Sequence, residues 1–195
     1  MNSIPRSEHP KPQFQRDSWM NLNGLWAFEI DNGRSGKARG LNAADAQLSS
    51  QILVPFCPQS ELSGVNHKDF LSGVWYRRTF ELTKEQLSGR VALHFGAVDY
   101  RCEAFVNGVS VGTHTGGYVS FCFDVTEAVR EGENVLTVYA EDDERDPLIP
   151  RGKQSELFYS HGCDYTRTTG IWQGVWLEKV SRTYVWPRVA TSTGY

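Results

Sequence analysis

Short runs of alternating apolar and polar residues constrain the fold of this 195-residue chain more than any other feature. Each run is rich in β-branched and aromatic residues and is bounded by Gly, Pro, Asn or Asp, a pattern typical of strands in antiparallel sheets. The dipeptide Asn107-Gly108 joins two of them and indicates a two-residue hairpin. The predicted strands cover residues 25–30, 51–54, 74–82, 91–95, 102–106, 109–111, 119–125, 135–140 and 175–180.

Helical signals are weak. Residues 83–87 and 126–130 are each compatible with one or two helical turns, and a glycine follows each of them closely. Many short strands and almost no helix predict an all-β fold, an antiparallel β-sandwich of jelly-roll topology like that of galactose-binding domains.

Two long segments depart from the strand pattern. Residues 32–50 are rich in Gly, Ala, Asn and Ser and are predicted to form a loop. Residues 141–173 have no sustained period, but their aromatic residues predict a loop that folds against its own sandwich or a neighbour, with Trp172 largely buried at its base. Residues 184–195 are interpreted as a linker or the start of a following domain, so that the first domain covers residues 1–183.

Charge and composition exclude several classes of function. The net charge of −3 comes from intermixed signs, and without a basic stripe we expect no nucleic-acid partner. No apolar run approaches the roughly 20 residues that a membrane span needs. The first twenty residues lack the apolar core of a secretory signal, so we expect a cytoplasmic location. The four cysteines form no C-x-x-C pair, and neither a metal nor a cofactor is expected.

Three apparent catalytic or metal motifs have simpler interpretations. Residues 108–112 match G-x-S-x-G, but Ser110 follows a hairpin turn and lies in a strand, whereas a nucleophilic serine needs a strand–turn–helix context. The acidic run at 141–146 lacks the spacing of a calcium loop. His94, His114 and His161 are isolated from one another in sequence.

The segment from Cys163 to Gln173 combines a carboxylate, an arginine, several hydroxyls and large aromatic side chains. Hydroxyl-binding polar groups beside an apolar ring are what a sugar site requires. The alternative, a packed loop in which Asp164 caps a turn, remains open on chemistry alone.

Nine short phrases carry a resemblance to a known family. They are HPKPQF (9–14), NLNGLW (21–26), VPF (54–56), VWYRR (74–78), FGAVDY (95–100), VNG (106–108), GGY (116–118), PRGKQ (150–154) and GIWQGVWLE (170–178). In this order and spacing, over about the first 185 residues, the chain resembles the N-terminal sugar-binding domain of family 2 glycoside hydrolases, the β-galactosidase and β-glucuronidase group.

The resemblance implies a jelly-roll sandwich followed in the parent protein by an immunoglobulin-like domain and a TIM barrel. It also implies a retaining β-glycosidase in which two barrel glutamates act about 5–5.5 Å apart. This chain then contains no catalytic residue and is inactive alone. Its partners are a β-glycoside substrate, with a β-galactoside favoured by residues 151–154, and the rest of its own chain.

The resemblance also assigns roles to individual residues. Asp164, six positions before Gly170, matches an aspartate that the family places on the bound sugar. A second sugar contact comes from the loop at residues 66–73, where Asp69 is the candidate. Loop or interface support is expected from Arg151, Lys153, Arg167 and Trp172.

Two other interpretations fit the sequence. A free-standing carbohydrate-binding module would use an exposed aromatic platform. A purely structural interaction domain would use Asp164 and Trp172 only for packing.

Overall fold

The computed structural model describes residues 4–143 and 145–181 of the chain. Within these ranges the strands are β1 (Trp19–Asn21), β2 (Gly24–Ile30), β3 (Ser50–Val54), β4 (Gly73–Leu82), β5 (Arg90–Phe95), β6 (Val98–Asp99), β7 (Arg101–Val106), β8 (Val109–Thr115), β9 (Phe121–Asp124), β10 (Gly132–Glu141), β11 (Gly170–Ile171) and β12 (Val175–Val180). Three single-turn 3₁₀ helices cover Pro12–Phe14, Glu61–Ser63 and Gln86–Ser88. No helix in the described ranges is long and apolar enough to cross a membrane.

The strands form a two-layer antiparallel sandwich with jelly-roll topology. One sheet has the order β3-β2-β4-β10-β7-β8 and the other has the order β1-β12-β5-β9. The chain crosses between the two sheets as it passes from β8 to β9, to β10 and to β12, as jelly rolls do. The short strands β6 and β11 form a separate pair. The predicted all-β antiparallel class is therefore confirmed.

The predicted hairpin is present between β7 and β8. Asn107 has a φ of 52° and Gly108 a φ of 83°. Two successive positive φ angles match the twist of the flanking strands, and Asn-Gly adopts them at low cost. The Asn107 side chain also donates a 2.8 Å hydrogen bond to the Ala128 carbonyl, which fastens this hairpin to the turn that follows β9.

The main core lies between the two sheets and follows the predicted alternation. On β4, Tyr76, Phe80 and Leu82 point into it. On the opposite sheet, Leu93 and Leu177 face them and are almost fully buried. Each fully buried large apolar side chain contributes about 1.5–3 kcal/mol, so these alternating positions select the register of the strands.

A second, smaller cluster covers the outer face of the larger sheet. Trp75 stacks on Tyr139 with ring centroids 4.7 Å apart, and Leu41 packs against them from the segment predicted to be a loop. Asp31 organises that loop, since its carboxylate accepts hydrogen bonds from the Trp75 indole at 2.9 Å and the Gly36 amide at 2.7 Å. The segment is a loop as predicted, but one that is anchored to the sheet.

The segment before β1, residues 5–18, is named here the strap. It lies against the face of the four-stranded sheet that points away from the core. Glu178 of β12 is 3 % exposed and holds it, with His9 Nε2 at 3.2 Å from one carboxylate oxygen and the Arg16 guanidinium paired with the other. The Trp176 indole donates to the same carboxylate at 2.8 Å.

Some local predictions need correction. Residues 126–130 form a turn rather than a helix, and the helical segment after β4 is one 3₁₀ turn, Gln86–Ser88. The strands β1, β6 and β11 were not predicted because runs of two or three residues carry no detectable period. The predicted boundary at residue 184 and the following segment lie outside the described residues.

Candidate functional site

All but one of the residues assigned to the site lie in or beside the segment between β10 and β11, named here the long loop (residues 142–169). Backbone hydrogen bonds order its second half: the Tyr165 amide donates to the Lys153 carbonyl at 2.8 Å, and the Ser155 amide donates to the Tyr165 carbonyl at 2.7 Å. The loop thus folds back on itself and against the sandwich, as predicted, but polar contacts hold it, whereas three of its aromatic side chains remain exposed.

Arg167 is the internal brace of the long loop. Although charged, it is only 1 % exposed. Its guanidinium donates to backbone carbonyls of Leu157 and Phe158 within the loop and of Lys68 in the neighbouring loop. A guanidinium suits this position because its planar fork carries five donors. Arg167 therefore connects the long loop with the loop of residues 66–73, and its role as a support for the site stays a prediction.

Asp164 is presented at a tight turn near the tip of this fold. The His161 and Asp164 backbones pair with each other, at 2.7 Å and 3.2 Å, and Gly162 between them has a φ of 53°. The Asp164 side chain is 29 % exposed. Its neighbours are His161 Nδ1 at 3.9 Å and the Cys163 Sγ at 3.8 Å, so its polar contacts with the protein are long.

Asp69 is exposed and lies in the loop of residues 66–73. Its carboxylate accepts a 2.7 Å hydrogen bond from the Phe70 amide. The Phe70 ring stacks against the Arg167 guanidinium, whose central carbon lies 4.3 Å from the ring centroid. The structure thus joins the loops of Asp69 and Asp164 through one pair of side chains. A sugar contact by Asp69 remains a prediction.

The remaining support residues differ in their surroundings. Arg151 pairs with Glu156 at 3.1 Å, and its carbonyl accepts a hydrogen bond from the Tyr118 hydroxyl at 2.7 Å. Lys153 is exposed and contributes its carbonyl to the loop. Trp172 is partly buried at the base of the long loop, and its indole N–H donates to the carbonyl of the buried Gly117 at 2.8 Å.

A buried polar cluster lies behind the long loop and was not predicted from the sequence. The Gln154 amide donates to Asp99 Oδ2 at 2.8 Å and to the Tyr118 hydroxyl at 2.9 Å, and its carbonyl accepts from the Thr168 amide. Asp99 is 2 % exposed, and burial raises its pKa to about 6 while the Gln154 hydrogen bond acts in the opposite direction. Both residues lie in phrases that carried the family resemblance, which was the available signal.

Large aromatic side chains surround Asp164 in sequence and remain exposed on the long loop. The exposed fractions are 58 % for Phe158, 64 % for Tyr159 and 49 % for Tyr165. We call these three the aromatic rim. Exposed aromatic clusters beside polar groups mark ligand or protein contact surfaces more often than isolated apolar residues do.

One group of side chains in the described ranges has metal-ligand geometry. Glu156, His161 and Asp164 each offer a ligand atom, and these atoms lie within 4.8 Å of one another. Glu156, however, is already paired with the Arg151 guanidinium, which opposes a cation at the same carboxylate. We assign no metal to the group, and the expected absence of metal and cofactor stays a prediction.

Comparison with known proteins identifies the class. A family model described as "Glycosyl hydrolases family 2, sugar binding domain" matches residues 19–180. The chain belongs to this family. It is 33% identical over 171 residues to the β-galactosidase BoGH2A of Bacteroides ovatus, covering 85% of this chain and 18% of that protein. It is 26% identical over 181 residues to a putative β-glucuronidase of Formosa agariphila, covering 92% and 20% respectively.

Solved structures agree on the fold. β-Glucuronidase of Ruminococcus gnavus in complex with uronic isofagomine matches with a TM-score of 0.68 at 19% identity, over 84% of this chain and 28% of that one. The chain spans about a fifth of the length of each of these two curated relatives. The activity of those longer proteins therefore bears on this chain only as a proposal.

Proposed function

We propose that the chain is the non-catalytic N-terminal domain of a retaining β-glycosidase and that it contributes Asp164 to the sugar site of a TIM barrel elsewhere in the parent protein. The observation that carries the proposal is the presentation of Asp164, a partly exposed carboxylate at the tip of a braced loop. A carboxylate whose contacts with its own domain are long keeps its oxygens available to accept hydrogen bonds from sugar hydroxyls.

The contacts that brace the long loop favour a binding role for Asp164, because they hold the loop in one position. A side chain that positions a substrate must be held by its surroundings, because ordering it on binding costs conformational entropy. Here Arg167 ties the long loop to the loop of Asp69, and the Gln154 cluster ties its base to β6. We infer that both loops face the same ligand.

The aromatic rim supports a partnership with the rest of the parent chain. Phe158, Tyr159 and Tyr165 are left exposed around the tip of the loop, although burying each of them would be favourable by a few kcal/mol. A barrel surface that covers them would also bring Asp164 to its sugar site. A free-standing carbohydrate-binding module would instead leave the rim open to solvent.

The relatives include β-galactosidases and β-glucuronidases, so they do not by themselves distinguish between these two substrate classes. We favour a β-galactoside because of the phrase at residues 151–154.

Kinetics of the full-length parent carrying Asp164→Asn test the role of this carboxylate. If Asp164 binds sugar hydroxyls, kcat/KM falls about tenfold to a hundredfold or more, since hydrogen bonds to a charged acceptor are worth about 1.5–3 kcal/mol. The Tm stays close to that of the wild type. Asp143→Asn, an exposed carboxylate of the same loop, is the matched control. A destabilised enzyme with normal kinetics would refute the role and indicate a turn cap.

A further inference from the structure

A groove lies between the strap and the start of β12. None of the described residues of the long loop lines it. It encloses about 480 Å³, within the range of roughly 300–1,000 Å³ that is usual for small-molecule sites. One wall is the strap and the other is the turn between β11 and β12. The residues that line it are Arg6, Glu8, His9, Pro10, Pro12, Asn23, Pro55, Trp172, Gln173 and Gly174.

The strap wall is held in position by the sandwich. The Asn23 side-chain amide donates to the Pro5 carbonyl at 3.1 Å, while its oxygen accepts from the Val175 amide at 3.0 Å. The His9 ring contacts Glu178 at 3.2 Å. Pro10 and Pro12 restrict the backbone between these anchors. A wall that is ordered before a ligand arrives lowers the entropic cost of binding.

The Trp172 ring forms the opposite wall, and its orientation is also set. Its indole N–H is used by the hydrogen bond to the Gly117 carbonyl, and its ring meets Tyr118 edge to face, at 6.0 Å and 69°. Because the N–H is engaged, the apolar surface of the ring is what Trp172 offers to a ligand in the groove.

The polar groups of the groove determine the ligand class. Arg6, Glu8 and Gln173 are exposed and supply both donors and acceptors. Arg6 is positive and Glu8 is negative, so the charges of these two side chains offset each other. The His9 ring is hydrogen-bonded to Glu178. The lining therefore matches a neutral ligand with many hydroxyls and an apolar face rather than an anion or a cation.

We propose that this groove binds a neutral saccharide of disaccharide size, with one pyranose face against Trp172 and hydroxyls paired to Arg6, Glu8 and Gln173. The proposal does not rest on the role of Asp164, since no described residue of the long loop lines the groove. It gives this chain a carbohydrate site that persists without any barrel.

Titration of the isotopically labelled 195-residue chain with lactose, cellobiose and β-1,4-mannobiose tests the proposal by NMR. At least one disaccharide should shift the Trp172 indole and Gln173 side-chain amide signals saturably, at millimolar concentrations. Sodium glucuronate serves as the charged probe and should bind more weakly. Signals at Trp172 and Gln173 that do not move with any of the disaccharides, or a preference for glucuronate, would overturn the proposal.

Variants locate the site. Gln173→Ala and Glu8→Ala remove exposed side chains and should raise the Kd about threefold to tenfold without changing the Tm. Trp172→Ala should raise it by more than about tenfold, and Trp172→Phe should restore part of the affinity. Asp143→Ala, at an exposed carboxylate that does not line the groove, is the control that should leave the Kd unchanged. Binding that is lost in Tyr165→Ala, on the aromatic rim, and retained in Gln173→Ala would place the saccharide on the long loop and refute the groove.

Discussion

The guanidinium carbon of Arg167 lies 4.3 Å from the ring centroid of Phe70, and the same guanidinium donates to the Lys68 carbonyl. Through this contact the loop of Asp69 and the long loop become one unit. Arg167 therefore joins the two loops that carry Asp69 and Asp164, the candidate sugar-contacting residues.

Arg167→Ala should destabilise the chain by about 3 kcal/mol, because the partly buried carbonyls of Leu157, Phe158 and Lys68 lose their charged donor. Arg167→Lys should recover only part of this, since one ammonium cannot span both loops. Arg145→Ala is the matched control: Arg145 lies 4.0 Å from the same Phe70 ring but is exposed, and its loss should cost under about 1 kcal/mol.

Urea unfolding measures these costs, and amide hydrogen exchange locates them. Faster exchange in Arg167→Ala should concentrate at residues 66–73 and 153–167. Equal destabilisation by Arg145→Ala and Arg167→Ala would show that the ring contact, and not the bridge between the loops, stabilises this region.

Asp99 should make the chain less stable as the pH rises. Burial raises the pKa of its carboxyl from 3.8 to about 6, so the folded chain binds a proton between these values that the unfolded chain releases. The contribution of Asp99 to the free energy of unfolding is complete below pH 3.8 and is lost as the pH rises through about 6. This contribution is on the order of 3 kcal/mol at most.

Asp99→Asn removes this dependence while keeping an oxygen that can accept from Gln154. The variant should therefore match the wild type near pH 4 and exceed it in free energy of unfolding at pH 7. Urea unfolding of both proteins at four pH values between 4 and 7.5 gives the difference, in which all other titrating groups cancel. A difference that is constant with pH would contradict the prediction.

The sandwich was predictable from sequence because its strands are long enough to show a period of two. Residues 74–82 alternate, and β4 covers Gly73–Leu82 with Tyr76, Phe80 and Leu82 in the core. The hairpin was predictable for a local reason, the backbone preference of Asn107-Gly108. Neither inference needed information about distant parts of the chain.

The candidate site was less predictable because its contacts are non-local. The bond from Gln154 to Asp99 spans 55 residues, and that from Arg167 to Lys68 spans 99. Composition predicts that charged side chains such as Arg167 lie on the surface. The local chemistry of residues 163–173 left Asp164 open between a sugar contact and a turn cap, and only the family resemblance favoured the sugar contact. Nothing in the local sequence indicated that Trp172 would line a groove.

The isolated chain should hydrolyse no chromogenic β-galactoside or β-glucuronide. Retaining hydrolysis requires two carboxyl groups about 5–5.5 Å apart that act as acid/base and nucleophile. The proposed function assigns these groups to a barrel elsewhere in the parent protein. The measurement uses purified chain and, as a control, a mock purification from the same host without it. Turnover that copurifies with the chain and exceeds the control would refute the non-catalytic assignment.

Glu178→Gln should release the strap. Burial alone would raise the pKa of Glu178, but the Trp176 indole, His94 and Arg16 outweigh it and hold that pKa below 4.5. Glutamine has the same shape but no charge, and its amide nitrogen would face the Arg16 guanidinium or the His9 ring. Since Arg16 is 41 % exposed, we expect a loss of about 2–3 kcal/mol at pH 7 rather than the full cost of a broken buried pair.

The pH dependence of this loss separates charge from packing. A carboxylate with a lowered pKa stabilises the folded chain above pH 4.5, and that contribution disappears as the pH falls further through the folded-state value. The difference in the free energy of unfolding between wild type and Glu178→Gln should therefore shrink below pH 4.5.

Glu131→Gln, which changes an exposed glutamate, is the control and should have no effect on the free energy of unfolding. Urea unfolding at pH 7 and pH 4 measures both, and faster hydrogen exchange at residues 5–18 should accompany the loss. If Glu178→Gln were as stable as the wild type at pH 7, the strap would be held by packing, and neither the ion pair with Arg16 nor the hydrogen bond with His9 would account for its position.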